Sequence, residues 1–523
     1  MTLRLVATLC PHSAEDAEGP LTDPPPGVDY LELRLDHLAR AVPEEVVRLM
    51  RMSRTLPVIA TCRSEADGGR FAGSTEERLA LLVAAAEAGA DLIDVEEELF
   101  AQLPENLPGR TLLSLHLTRF VPRLDALARR LLRHGADFTK LAVPADTPRA
   151  LAGLLALQEE FGDELAVVPT GRLAEAGRVM SAGRGATLTY AALDDNNPGH
   201  HDQPSLERLH GLMQIGTVSG STRFFAVVGS PIGHSLSPLF HNGAFRAVAT
   251  NARMVVLDVD KLSAVVQQAE ALRLDGLAVT HPFKTEAIEL ADAVMPGARL
   301  TGAANTLRHS EAGWQARNTD WKAAADLLPR LLREWSRREQ KPEWLAKAMD
   351  ALFRGHRETH VEPSDGEPLR VLLLGAGGAA RAVAVALYEE PVELGIWSRR
   401  RESAQALADQ LATSLSAKVL PDPESFPADM VVNATPAGMP GVVPEGLLAL
   451  GPEVFREGGF AVDLTYGGGA SPFREAAHEA GVPVIGGEIF FALQARSQAA
   501  VFTGAPLPRD LARELAQRCG APV

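Results

Sequence analysis

Short apolar runs alternate with amphipathic stretches through the first part of the chain. The runs are Leu3–Leu9, Tyr30–Leu35, Pro57–Cys62, Leu92–Val95, Thr111–Leu117, Phe138–Val143, Leu165–Val168 and Thr187–Tyr190. Runs this short, rich in branched residues, read as buried strands. Segments such as Glu76–Glu87 and Arg123–His134 carry helical spacing between them. Strand–helix alternation repeated eight times predicts a parallel, small (β/α)8 TIM-type barrel over residues 1–217.

The pattern changes at about residue 222. A short apolar run, Phe224–Val228, leads into Gly229-Ser230-Pro231-Ile232-Gly233, which breaks regular structure, and Pro238 opens a helix. Further on, Leu369–Leu374 reads as a strand, Gly375-Ala376-Gly377-Gly378 as a glycine turn and Ala379 as the start of a helix. A glycine fingerprint alone is weak, but here it has the strand–turn–helix setting that a dinucleotide-binding unit requires. The expected order is an α/β catalytic lobe (222–330), a charged helical insertion with a linker (331–368), a Rossmann domain (369–485) and C-terminal helices returning to the lobe (486–523).

Polar residues interrupt the barrel strands in a regular way. Glu32, Arg34 and Asp36 alternate and so share one face. Thr61 and Arg63, Asp94 and Glu96, and Ser114 and His116 do the same on the next three strands, and Lys140 lies inside Phe138–Val143. Inward polar residues near the C-terminal ends of barrel strands form active sites. A buried lysine is costly unless paired, and desolvation moves it toward a usable amine nucleophile. Singly, each residue has an ordinary structural reading; the recurrence on five strands makes chance a poor explanation.

Composition narrows the classes. The 523 residues are 46% hydrophobic and 23% charged, which is globular, and the net charge of −16 argues against nonspecific nucleic-acid binding. No apolar run approaches the ~20 residues of a membrane helix. The N-terminus MTLRLVATLCPH lacks a secretion signal, and Cys10, Cys62 and Cys519 have neither metal nor disulfide spacing. The expectation is a cytoplasmic protein acting on small molecules, without nucleic-acid or membrane partners and without a metal.

The barrel residues resemble type I 3-dehydroquinate dehydratase. The resemblance rests on Glu32-Leu33-Arg34-Leu35-Asp36, Arg63 ahead of Gly68-Gly69, Ile93-Asp94-Val95-Glu96, His116 in LLSLHLT and Lys140 in ADFTKLAV. It implies that Lys140 forms an imine with the substrate ketone and that His116 is the general acid/base. It assigns Glu32 and Glu96 to orienting His116 or the substrate hydroxyls, Arg34 to substrate binding, and Arg63 and Arg178 to the carboxylate. Gln203 falls in the family's lid, but the lid here, Asn196–Gln203, is three residues longer. A longer loop should cost more entropy to order and so raise KM.

The second part resembles shikimate dehydrogenases. The carrying residues are Ser235 and Ser237 in the serine loop, Val279-Thr280-His281-Pro282-Phe283-Lys284, Thr301–Thr306 with Asn305, and Asn318-Thr319-Asp320. Lys284 and Asp320 are implied to be the catalytic pair. Ser235, Ser237, Thr280, Asn305, Tyr466 and Gln494 are implied to bind substrate. Gly375, Ala376, Gly377, Gly378, Ala379, Asn433, Thr435 and Gly487 are implied to bind the cofactor. Ser398-Arg399-Arg400 follows the next strand, where arginines favour the 2′-phosphate of NADP over NAD. The reading is a bifunctional shikimate-pathway enzyme that dehydrates 3-dehydroquinate and reduces the 3-dehydroshikimate formed with NADPH. Alternatives are a quinate/shikimate dehydrogenase with a degenerate barrel, which a dehydration assay separates, and a ligand-sensing regulator, which any turnover excludes.

Overall fold

The computed structural model describes residues 3–522 except 53–54, 195, 234, 337–343, 346–347, 349–367, 413–414, 439–449 and 467–470. The chain forms two compact units. One comprises Met1–Phe224 with Val255–Leu257 and Ala264–Arg273; the other comprises Phe225–Met254, Asp258–Ser263 and Leu274–Val523.

The first unit is built on eight parallel strands: β1 (Arg4–Leu9), β2 (Tyr30–Arg34), β3 (Val58–Thr61), β4 (Leu92–Glu96), β5 (Arg110–His116), β6 (Phe138–Pro144), β7 (Ala166–Thr170) and β8 (Leu188–Ala192). They pair in the order β7-β6-β5-β4-β3-β2-β1-β8, and β7 meets β8 across the seam. The inner face carries Val6, Tyr30, Ile59, Leu92, Leu112, Ala166, Leu188 and Tyr190 as a buried, largely apolar floor. A second apolar layer, including Ala17, Leu21, Val46, Leu49, Leu82 and Ala85, joins the outer helices to the strands. Both faces of each strand are therefore covered, which is why the runs read as continuously apolar. The helices are capped locally: Ser74 closes a capping box with Glu77 at the head of Thr75–Glu87, and Thr147 caps Pro148–Phe161.

The second unit holds two sheets. One has the order β10 (Ala252–Asp258), β9 (Arg223–Gly229), β11 (Leu274–Val279), β13 (Thr306–Ser310), β14 (Gly313–Arg317), β12 (Ala293–Val294). The other has the order β17 (Ala417–Val419), β16 (Val392–Trp397), β15 (Leu369–Leu374), β18 (Ala428–Asn433), β19 (Phe455–Asp463), β20 (Val484–Ile485), all parallel. The helix Thr319–Ser336 begins in the first lobe and continues without a break into residues 331–336 of the expected insertion. Its Leu331, Leu332 and Trp335 are buried in the core of the second sheet, so this stretch is core helix. Most of the remaining expected insertion lies outside the described residues. The helix Gly487–Thr503 packs back on Ser237–Ala247 through Phe240, Phe491 and Ala495. Among the described residues no helix is long and apolar enough to cross a membrane.

Candidate active sites

In the first unit, β2 to β6 bring their inward polar residues together at the C-terminal ends of the strands. Asp94, at 1% exposure, is the hub. Its carboxylate receives Lys140 Nζ at 2.5 Å, Arg63 at 3.2 Å and the Ser114 hydroxyl. Burial pushes the Asp94 carboxyl up, but the charges of Lys140 and Arg63 outweigh it and hold the group below the usual range. Glu96, two residues on, behaves in the opposite way. Burial, reinforced by the charge of Asp94 and opposed by Arg63, raises it to about 7. Its nearest cations are Arg78 at 3.5 Å and Arg63 at 3.8 Å, beyond hydrogen-bonding reach.

His116 Nδ1 sits against the Arg63 guanidinium. Burial and the positive charges of Arg63 and Lys140 hold its imidazole well below its usual range, so it is neutral at pH 7 and able to take a proton. Neither Glu32 nor Glu96 makes a hydrogen bond to it among the described residues, contrary to one of the expected roles. Glu32 is instead held by the hydroxyls of Thr8 at 2.7 Å and Thr61 at 3.0 Å. Arg34 grips Asp36 with Nε and Nη2, at 2.9 and 2.7 Å. Arg178 donates to the carbonyls of Pro169 and Tyr190, and burial lowers it to about 10.

The lid is tied down at several points. Arg34 donates to the Gly199 carbonyl at 3.0 Å, Asn197 to the Cys10 carbonyl at 2.5 Å and Gln203 to the Thr8 hydroxyl at 2.8 Å. The three additional residues carry their own anchor: Asp202 accepts from the Gly171 N–H and pairs with His200 Nδ1 at 2.5 Å. The expected entropy penalty of the longer loop is thus opposed by bonds that the insertion itself supplies.

In the second unit, Lys284 Nζ lies 2.6 Å from Asp320 Oδ2. Asn305 Nδ2 donates to Asp320 Oδ1 and to Thr319 Oγ1 at 2.9 Å, and to Gln494 Oε1 at 3.2 Å. Gln498 in turn holds the Asn305 carbonyl and the Thr306 hydroxyl at 2.9 Å, and His241 at 3.0 Å. This network fixes the start of β13, the start of Thr319–Ser336 and the helix Gly487–Thr503 relative to one another. The Tyr466 hydroxyl hydrogen-bonds Ser235, and burial moves it up to about 12, against that bond. Ser235 accepts from the Ser237 N–H at 3.2 Å. Thr280 packs its methyl against Gly229. His281 is lowered by burial and by Lys284 beside it.

The glycine turn fits a dinucleotide. Gly375 has φ +111°, and a Cβ there would press on the Ala434 carbonyl at 3.0 Å. Gly377 faces open space at the head of the helix Gly378–Ala386, where free N–H groups suit a pyrophosphate. Gly487 could not be larger, since a Cβ would lie 2.3 Å from the Thr465 carbonyl. Ser398 is half-buried, while Arg399 and Arg400 are exposed just beyond β16. Asn433 and Thr435, expected at the cofactor, are engaged within the protein. Asn433 Nδ2 donates to Asp463 and Ala437, and its Oδ1 accepts from the Thr435 N–H and hydroxyl. Four bonds saturate an amide side chain, so Asn433 shapes the turn and presents no free group.

Asp94 and Thr319 stand in motifs that the sequence already singles out, Ile93-Asp94-Val95-Glu96 and Asn318-Thr319-Asp320, without a site role there; the signals for them are the alternation with Glu96 and the hydroxyl beside Asp320.

A family model described as type I 3-dehydroquinase matches residues 9–217, and one described as shikimate dehydrogenase substrate binding domain matches residues 227–307. The bifunctional 3-dehydroquinate dehydratase/shikimate dehydrogenase, chloroplastic, of Arabidopsis thaliana is 28% identical over 507 residues, 93% of this chain and 79% of that protein. The shikimate dehydrogenase (NADP(+)) of Anaeromyxobacter sp. (strain K) is 34% identical over 314 residues, 58% of this chain and 99% of that protein. A solved shikimate 5-dehydrogenase from Thermus thermophilus, in complex with NADP(H) and shikimate, is 30% identical and covers 57% of this chain and 99% of its own, with a TM-score of 0.44.

Proposed function

Since the chain belongs to the family of bifunctional type I 3-dehydroquinate dehydratase/shikimate dehydrogenases, we propose that the two clusters of side chains just described carry its two reactions. The carrying observation is that each unit pairs a buried or half-buried lysine with a carboxylate: Lys140 with Asp94, and Lys284 with Asp320.

In the dehydratase, Lys140 passes its extra proton to the neutral His116, its free amine attacks the ketone of 3-dehydroquinate, and the carbinolamine hydroxyl leaves as water with that returned proton, giving a protonated imine and a neutral His116. Asp94 sets the lysine rotamer and remains as the counter-charge to that imine. His116, neutral at pH 7, removes the proton beside the imine carbon; the electrons pass into the C=N bond. They return to expel the neighbouring hydroxyl, which leaves as water with the proton from His116. Hydrolysis of the imine frees 3-dehydroshikimate and restores Lys140. Arg63 receives the carboxylate, with Arg178 on the opposite side of the barrel. Glu32 and Arg34 line the hydroxyl side, and Gln203 brings the lid to them through Thr8.

In the dehydrogenase, NADPH when bound would supply the hydride for the ketone carbon of 3-dehydroshikimate. Gly375, Ala376, Gly377, Gly378 and Ala379 would hold its pyrophosphate, Ser398, Arg399 and Arg400 its 2′-phosphate, and Gly487 would let the chain pass close by. Ser235, Ser237 and Tyr466 hold the substrate carboxylate, while Thr280, Asn305 and Gln494 face its hydroxyls. Lys284 donates the proton that the developing alkoxide needs, and Asp320 keeps the ammonium charged and aimed until then. The divisions 1–217, 369–485 and 486–523 follow these roles, while the lobe that begins at 222 extends past 330 to Ser336 with its last helix. Three buried free thiols support a cytoplasmic setting.

Borohydride added during turnover tests the first half. It should attach substrate to Lys140 and nowhere else, and Lys140→Ala should lose dehydration while still oxidising shikimate. Dehydration that leaves no trapped adduct would refute the imine.

A further inference from the structure

Tyr190 on β8 stands out among the residues that the mechanism does not use. Its ring lies under Lys140, with the ammonium 4.5 Å from the ring centroid. Its hydroxyl is buried and has no hydrogen-bond partner among the described residues. The charges that bear on that hydroxyl are those of Glu32, Asp94, Arg63 and Arg178, the groups that surround the site. The other tyrosine of the barrel floor provides a contrast: the Tyr30 hydroxyl accepts from Arg4 at 3.0 Å and Arg110 at 3.2 Å. A buried hydroxyl left without a partner destabilises a fold, and a phenylalanine would fill the same floor position without that cost.

We propose that Tyr190 is a positioning and specificity residue of the dehydratase, its ring supporting the Lys140 nitrogen and its hydroxyl hydrogen-bonding a ring hydroxyl of the bound polyol. The inference rests on the reading of Lys140 as the imine-forming residue. The ring face attracts a cation, and the nitrogen carries positive charge both as ammonium and as protonated imine, so one geometry serves before and after the bond forms. The hydroxyl explains why the floor carries an oxygen at this depth: a substrate hydroxyl is the partner that the protein does not supply.

Two variants and two readouts test this. Tyr190→Phe keeps the ring and removes the oxygen. It should melt at or above the wild-type temperature, still trap substrate on Lys140 with borohydride, keep kcat within about threefold and raise the KM for 3-dehydroquinate by roughly tenfold, the worth of one hydrogen bond. Tyr190→Leu removes the ring as well and should in addition lower kcat and slow the trapping. A KM for Tyr190→Phe within about twofold of wild type, or a raised KM accompanied by a lower melting temperature, would overturn the proposal, the second because it marks a structural hydroxyl. Failure of wild-type trapping would count against Lys140, whereas the hydroxyl is judged on the KM of Tyr190→Phe.

Discussion

Asp94 and Glu96 are two residues apart on the same face of one strand, yet they sit in opposite states. Asp94 touches two cations directly; Glu96 lies just beyond reach of its own. Small differences in distance decide between a carboxylate held ionised and one that titrates near neutrality. The consequence is a pH effect with a defined sign. Below pH 7 Glu96 is protonated, and Arg63, held by Asp94 and His116, meets the substrate carboxylate without competition from a Glu96 charge. As pH rises through about 7, Glu96 gains a negative charge that competes for Arg63, so the KM for 3-dehydroquinate should climb. In Glu96→Gln that climb should be lost and KM should stay level on both sides of neutrality; an unchanged profile would mean that Glu96 does not face Arg63 during binding.

The eight barrel strands were legible because a strand buried on both faces leaves a bare apolar run. Each observed strand overlaps its expected run, with the ends shifted by a few residues at most, as at β7 (Ala166–Thr170). The side chains at the strand ends were legible for a similar reason, since alternation fixes which residues share a face. What the pattern could not carry is contact. Nothing in the sequence shows that Asn433 closes its own turn, that Glu32 turns to two threonines, or that Trp335 belongs to a core. The lid shows what length alone leaves out. Loop entropy grows slowly with added residues, whereas the anchor formed by Asp202 is a charge-assisted bond made by the insertion itself. Deleting His200-His201-Asp202 should therefore raise the dehydratase KM, and Asp202→Ala should do so by about ten- to a hundredfold, for a bond of roughly 1.5–3 kcal/mol. A lower KM in the deletion would show that the loop's ordering cost dominates after all.

Across the whole molecule, two units of unrelated topology carry the same device: a lysine whose position is set by a carboxylate from another element. In the barrel the pair comes from β4 and β6; in the second unit it comes from the turn after β11 and the head of Thr319–Ser336. Cofactor choice is a separate property, which we assign to the exposed arginines after β16. Arg399→Ala should narrow the preference for NADP over NAD by about ten- to a hundredfold while leaving dehydration untouched; equal use of both cofactors by the wild type would remove the arginines from that role. The central claim is that one chain runs both reactions on two separate lysines. Incubation with 3-dehydroquinate and NADPH, following 3-dehydroshikimate, shikimate and NADPH together, tests it most directly. The wild type should consume NADPH and form shikimate. Lys140→Ala should form nothing from 3-dehydroquinate yet reduce added 3-dehydroshikimate, and Lys284→Ala should accumulate 3-dehydroshikimate with reduction slowed roughly 10²–10⁴-fold. Shikimate formed from 3-dehydroquinate by Lys140→Ala, or a near-normal reduction rate in folded Lys284→Ala, would contradict the account.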